Sequence, residues 1–210
     1  MTKDKSAMIP RVYAITDRDM TGLSHAEQVR RLAAGGIRLI QLRDKIASPR
    51  QFFQMAQDAV RLARELAVSI IINDRVDIAL AVGADGVHVG QDDLPPEKAH
   101  ALLGQGKIVG FSSHSIEQAV AADCLPVDYI AIGPVFPTMT KPDHEPVVGL
   151  ELVRRVRQAI QKPLVAIGGI TLETAPEVIR AGADAVAVVS GILKTGDVTQ
   201  RAREFCQRLK

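Results

Sequence analysis

The sequence predicts one α/β domain whose eight parallel strands close into a (β/α)8 barrel, and three observations lead there. The chain repeats one junction: "AAGGIRLIQLRD", "AVGADGVHVGQDD" and "RAGADAVAVVSG" each join a small-residue helix end and a glycine to a β-branched run that closes on polar residues. The glycine suits a left-handed helix cap, and a Val/Ile/Leu run without polar alternation suits a strand buried on both faces. Eight such runs alternate with helix-period stretches, which gives a parallel sheet at the strand count where it closes on itself. Polar residues collect where the strands end rather than where they begin. An open doubly wound sheet would carry a glycine-rich dinucleotide turn after its first strand, and "YAITDRD" has none.

Taken in order, the strands are expected at Val12 to Ile15, Leu39 to Leu42, Ser69 to Ile72, Gly86 to Val89, Ile108 to Phe111, Tyr129 to Ile132, Leu164 to Ile167 and Ala185 to Val189. Helix starts fall between them: "SHAE" at Ser24, "SPRQ" with Pro49 at the first helical position, "PPEK" at Pro95, "SIEQ" at Ser115 and "TLET" at Thr171. At 210 residues the chain suits a single large core. Residues 1–10 are expected as a flexible tail and 11–210 as the barrel.

Composition narrows the function. Hydrophobic residues are 47% and charged residues 24%, the balance of a folded enzyme. Only 3% is aromatic and the net charge is +2 with basic residues dispersed, so neither nucleic acid nor a membrane surface is an expected partner. "MTKDKSAMIP" lacks the apolar region of a signal peptide, and no apolar run approaches the roughly 18 residues that span a bilayer. A cytoplasmic protein is expected, with Cys124 and Cys206 as reduced thiols outside any motif spacing. The sequence leaves self-association into a homo-oligomer open.

In such a barrel chemistry sits at the C-terminal strand ends, which here read "TD", "QLRDK", "NDR", "HVGQDD", "SSH", "GPVFPTMTKPD", "GGIT" and "SGI". Side chains two apart on a strand share a face, so Gln41, Arg43 and, if the strand persists, Lys45 point into the mouth. Two cations there need an anion, supplied by internal carboxylates or by a phosphorylated substrate. Asn73 and Asp74 end the third strand and Asp92 and Asp93 follow the fourth. Asp74 and one of that pair can converge on one ion. Carboxylates without His or Cys favour a hard cation, and few protein ligands plus phosphate oxygens is the usual Mg²⁺ arrangement. The bland alternative is that Asp74 and Asp92 cap a helix and a turn. His88 inside "GVHVG" reads as a core imidazole.

Gly168, Gly169, Ser190 and Gly191 end the last two strands, where barrels of this kind commonly bind phosphate through backbone N–H groups. The loop after the sixth strand adds Thr138, Thr140 and Lys141 on a backbone stiffened by Pro134, Pro137 and Pro142, a composition that suits gripping phosphate or diphosphate. A rigid solvent-facing turn is the alternative.

From Tyr13 to Ile192 the chain resembles the thiamine phosphate synthases, which share "QLRDK", "INDRVDIALAVGADGVHVGQDD", "GFSSHS", "AIGPVFPTMTKPD" and "AIGGI" in this order at closely similar spacings. The resemblance implies a TIM barrel that condenses hydroxymethylpyrimidine diphosphate with a thiazole phosphate, releasing diphosphate by a dissociative route. It implies that Gln41, Arg43, Lys45 and Asn73 hold the pyrimidine diphosphate, with Ser112 and Lys141 also on the diphosphate. Asp74 and Asp93 would bind Mg²⁺, leaving Asp92 a neighbour. Thr138, Thr140, Gly169, Val189 and Ser190 would receive the thiazole phosphate. Asp44 stands where the family often has Glu, a change expected to matter little if its side chain points outward. "SSHS" and "VVSGI" also resemble the thiazole tautomerases, in which a histidine at the position of His114 is proposed to move a proton. "PTMTK" and the Asp74/Asp93 pair argue against that reading. A non-catalytic regulator would show gaps among the charged residues, and there are none.

Overall fold

The computed structural model describes residues 9–138 and 146–210. Its strands are β1 (Val12–Thr16), β2 (Leu39–Leu42), β3 (Ser69–Asn73), β4 (Gly86–Val89), β5 (Ile108–Ser113), β6 (Tyr129–Ile132), β7 (Leu164–Ile167) and β8 (Ala185–Val188). They pair in parallel in chain order, and β8 closes on β1 through Val12 opposite Val186. The expected (β/α)8 TIM barrel is the fold observed. β5 runs past its expected end through Ser112 and Ser113, which places both hydroxyls on regular strand.

The helices are α1 (Arg18–Thr21), α2 (His25–Ala34), α3 (Pro49–Glu65), α4 (Val76–Val82), α5 (Pro96–Leu103), α6 (Ile116–Asp123), α7 (Gly149–Ala159), α8 (Ala175–Arg180), α9 (Ser190–Leu193) and α10 (Val198–Arg208). The start signals act through caps: the Ser24 hydroxyl accepts from the Glu27 amide, Ser115 from that of Gln118, and Ser48 forms a reciprocal capping box with Gln51. At "PPEK" α5 starts from Pro95 without a side-chain cap, and at "TLET" the start itself is displaced. Thr171 and Thr174 hydrogen-bond to each other across a turn, and α8 begins only at Ala175. The one-turn helices α1 and α9 sit in loops at the strand ends and carry no period that a sequence pattern can register.

Strand alternation sorts the core into two layers. One face of each strand packs outward against the helices, as Ile40, Ile70, Val87 and Ile130 do with Phe52, Val60 and Ala99. The other fills the barrel with Tyr13, Ile15, Leu39, Ile71, Ile108, Tyr129 and Val165. Burial of each large side chain contributes about 1.5–3 kcal/mol. Ile9 joins this inner layer at 8% exposure, while residues 1–8 of the expected tail lie outside the described residues. Two residues beyond Leu39, Ile71 and Gly86 on the same inward face come Gln41, Asn73 and His88, so apolar packing gives way to polar groups at the C-terminal mouth. No helix among the described residues is long and apolar enough to cross a membrane.

Candidate active site

A cavity of about 500 Å³ occupies the C-terminal mouth. It is lined by Gln41, Arg43, Lys45, Asn73, Asp74 and Asp93 from β2 to β4, by Ser112 from β5, and by Thr138, Gly169, Val189 and Ser190 from β6 to β8. Every described residue to which the family resemblance assigns a site role therefore meets in one space, whereas Gly191, also singled out at the end of β8, is not among the lining residues. Thr140 and Lys141 lie outside the described residues.

The first wall carries the charges. β2 stops at Leu42, so Lys45 reaches the mouth from a loop rather than from a continued strand. The Arg43 guanidinium lies 3.8 Å from the Asp17 carboxylate, and the Lys45 ammonium pairs with Asp74. Asp74 has a left-handed φ of +62°, a conformation that carries some strain in any residue with a Cβ. It caps nothing: Arg75 is the N-cap of α4, and no side chain caps that helix. The Asp93 carboxylate accepts the Gly90 amide at 2.7 Å. Burial pushes the Asp93 carboxyl above its ordinary pKa, and the neighbouring Asp74 carboxylate adds to the push, against the Gly90 amide and the Lys45 ammonium.

Two carboxylates facing each other in a half-buried site are a donor set for a hard divalent cation, whose charge would relieve their repulsion. Among the described residues no three His, Cys, Asp or Glu side chains cluster as metal ligands. The pair therefore fits an ion that draws its remaining ligands from water and phosphate oxygens, as Mg²⁺ does.

The opposite wall is built from backbone. The Val135 and Phe136 amides donate to the Ile167 and Gly168 carbonyls at 2.8 and 3.0 Å, locking the loop after β6 onto the end of β7. Gly169 adopts φ +63°, and a Cβ there would lie 2.5 Å from the Pro137 carbonyl oxygen and 2.7 Å from Phe136 Cβ. Only glycine allows that approach. Ile15, Ala131, Val165 and Ala187 form an apolar floor between the two walls.

Among the described residues, His88 and His114 reach the cavity. His114 Nδ1 lies 2.6 Å from the Gly133 carbonyl oxygen, which can only accept, so that nitrogen carries a proton. His88 Nε2 lies 2.8 Å from Ser112 Oγ, and its Nδ1 lies 2.9 Å from the Tyr129 hydroxyl. The expectation of a satisfied imidazole holds, and one of its partners, Ser112, lines the cavity.

The Asp44 side chain is not outward. It is 6% exposed, lies 3.4 Å from His25 Nε2 and 3.5 Å from Arg18 Nε, and accepts the Ile46 and Ala47 amides at 3.1 and 2.8 Å. It thereby stitches down the loop that carries Arg43 and Lys45. Burial raises its pKa, but the two amides, His25 and Arg18 outweigh burial and hold the carboxyl below its ordinary value. The inward pairing of Asp44 and Asp17 is not legible in the sequence, because a carboxylate beside a cation reads equally well as solvated.

A family model for thiamine monophosphate synthase matches residues 12–192. The chain is 48% identical to the thiamine-phosphate synthase of Koribacter versatilis, with 96% of each chain covered. It is 45% identical to that of Syntrophomonas wolfei, covering 93% of this chain and 94% of the relative. Thiamine phosphate pyrophosphorylase from Pyrococcus furiosus superposes with a TM-score of 0.86 at 37% identity over 95% of both chains. Matched over nearly its whole length, the chain belongs to the thiamine monophosphate synthase family.

Proposed function

We propose that this chain is a cytoplasmic transferase that joins 4-amino-5-hydroxymethyl-2-methylpyrimidine diphosphate to a thiazole phosphate, giving thiamine phosphate and diphosphate. The observation that carries this reading is one cavity with two anion-suited walls on either side of an apolar floor. Two phosphorylated substrates whose reacting carbon and nitrogen must meet between them call for that layout.

In this reaction the methylene–oxygen bond breaks with its electron pair leaving on diphosphate, and the thiazole nitrogen then forms the new C–N bond. The amino group of the pyrimidine stabilises the transient positive charge, so no strong general base is demanded. The protein contributes charge neutralisation and positioning. Arg43 and Lys45 stand where they can bind the departing diphosphate, with Ser112 as a neutral donor; Lys141 is assigned to the same task by the family resemblance. Gln41 and Asn73 orient the pyrimidine. Thr138, Thr140, Gly169, Val189 and Ser190 receive the thiazole phosphate and hold its ring nitrogen toward the methylene. Asp74 and Asp93 would hold Mg²⁺, which when bound would neutralise charge developing on the leaving group.

His114 favours a second reading. With Nδ1 committed to Gly133, its Nε2 is the basic atom, as isomerisation of a thiazole carboxylate phosphate would require. Incubation of the purified protein with both substrates, followed as thiochrome fluorescence after oxidation, separates the two. The transferase yields one diphosphate per thiamine phosphate and nothing when either substrate is omitted. Absence of product together with accelerated interconversion of the carboxylate isomers would select the isomerase.

A further inference from the structure

We propose that a buried hydrogen-bond chain, Gln41–Tyr13–Tyr129–His88–Ser112, has one fixed polarity that turns the Gln41 carbonyl oxygen and the Ser112 hydroxyl proton toward the cavity. His88 is then a positioning residue that acts through Ser112. The links measure 2.6 Å from Gln41 Nε2 to the Tyr13 hydroxyl, 2.9 Å between the two tyrosine hydroxyls, 2.9 Å from Tyr129 to His88 Nδ1, and 2.8 Å from His88 Nε2 to Ser112 Oγ. The chain crosses the barrel interior from β2 to β5 by way of β1, β6 and β4. Gln41, Tyr13, Tyr129 and His88 are 3%, 1%, 0% and 8% exposed, so water does not substitute for a missing link.

Proton counting sets the direction. Burial raises the pKa of both phenols well above the ordinary value, so each carries a single proton to donate. With the Gln41 amide nitrogen donating to Tyr13, Tyr13 donates to Tyr129 and Tyr129 to His88 Nδ1. The imidazole proton is then on Nε2 and is donated to Ser112 Oγ, leaving the serine proton for the cavity. With the Gln41 nitrogen facing Tyr13, an imidazolium would leave one phenol proton unpaired in the interior. The reverse polarity, with the amide turned over, satisfies the interior equally but spends the Ser112 proton on His88. It would present a serine lone pair to an anion and amide hydrogens to the amino group of the pyrimidine. Both ends thus select the same direction, an argument that rests on the proposed reading of Ser112 and Gln41 as diphosphate and pyrimidine contacts.

The surrounding packing is shaped to hold the link. Tyr129 stands edge-on to Tyr13 at 88° and nearly parallel to His88 at 22°. On β5, Gly110 lies opposite both Tyr129 and His88, and a Cβ there would fall 2.1 Å from Tyr129 Cζ. A side chain at this position would push the ring off the chain.

The test is the His88 tautomer in the full chain labelled with ¹⁵N-histidine, read by long-range ¹H–¹⁵N correlation near neutral pH and assigned by loss of its signal in His88→Gln. A neutral imidazole with its proton on Nε2 is expected. A proton on Nδ1, or a doubly protonated ring, overturns the proposal. Because this reading needs no turnover, it decides the chain even if the protein makes no thiamine phosphate, which would sink the functional reading alone. With turnover, Tyr129→Phe is expected to lower kcat/KM for the pyrimidine diphosphate about fivefold to tenfold. Combined with Ser112→Ala, its loss should fall at least threefold short of the product of the single losses. A loss equal to that product would show Tyr129 acting independently of Ser112 and would also overturn the proposal.

Discussion

Replacement of Gly169 by alanine tests the thiazole phosphate wall. At φ +63° a residue with a Cβ carries a penalty of roughly 1–2 kcal/mol. The added carbon would sit 2.5 Å from the Pro137 carbonyl oxygen, where ordinary contact begins at 3.4 Å, so the loop must retreat by about 0.9 Å. That loop is tied to β7 by the Val135 and Phe136 amides and carries Thr138, so it cannot retreat without moving the phosphate contacts. A misplacement of about 1 Å can cost on the order of 10²-fold in rate. Gly169→Ala is therefore expected to lower kcat/KM for the thiazole phosphate about 100-fold, while the affinity for the pyrimidine diphosphate changes little. The conformational penalty alone should lower Tm by roughly 2–8 °C. Steady-state kinetics by thiochrome fluorescence and a melt followed by circular dichroism read both effects. Thiazole kinetics within threefold of wild type at an unchanged Tm would refute the argument from close approach.

Three further perturbations address the charged wall and its support. Lys45→Ala should reduce kcat/KM by about 10²–10³ with the circular dichroism spectrum and Tm unchanged, since Lys45 is half-exposed and the fold does not lean on it; near-normal turnover would remove it from the site. Chelation of divalent cations should abolish turnover and added Mg²⁺ restore it, whereas full activity in chelator would show that Asp74 and Asp93 hold no required ion. Burial lowers the pKa of His25 from 6.5, outweighing the raising effect of Asp44 and, further off, Asp17, while Arg18 adds to the lowering. The folded state then binds fewer protons than the unfolded one, so stability is full above about pH 6.5 and is lost as pH falls toward the folded value. Tm should fall between about pH 7.5 and pH 5.5, and His25→Gln should flatten that slope; an equal slope in both proteins would assign it elsewhere.

The barrel was legible because its strands are short β-branched runs entered through small residues and glycine, a pattern that needs no tertiary information. The site was legible because polar and charged residues collected at strand ends have few roles in a barrel, and Gln41, Asp74, Ser112 and Ser190 all meet in the mouth. The inward turn of Asp44 was not legible because strand parity stops at Leu42, and beyond that point only the packing of α1 and α2 decides which way a side chain turns. The interior chain is not legible in the sequence for a related reason. Tyr13, His88 and Tyr129 each read as ordinary core residues, and the barrel's register sets them at one height: His88 lies opposite Gly110, and Gly110 opposite Tyr129. A sequence pattern reports which face a residue takes but not how far a closed sheet staggers its strands. The start of α8 failed on local chemistry, since Thr171 and Thr174 satisfy each other in a turn before the helix begins.

The central claim is that the wall formed by Arg43, Lys45, Asp74 and Asp93 grips the diphosphate. The most direct measurement is isothermal titration of inorganic diphosphate, in the presence of Mg²⁺, into the wild-type protein and into Lys45→Ala. Saturable one-to-one binding by the wild type, weakened at least about tenfold in the variant, is the predicted result. Equal affinity in the two proteins, or no binding by the wild type, would contradict it.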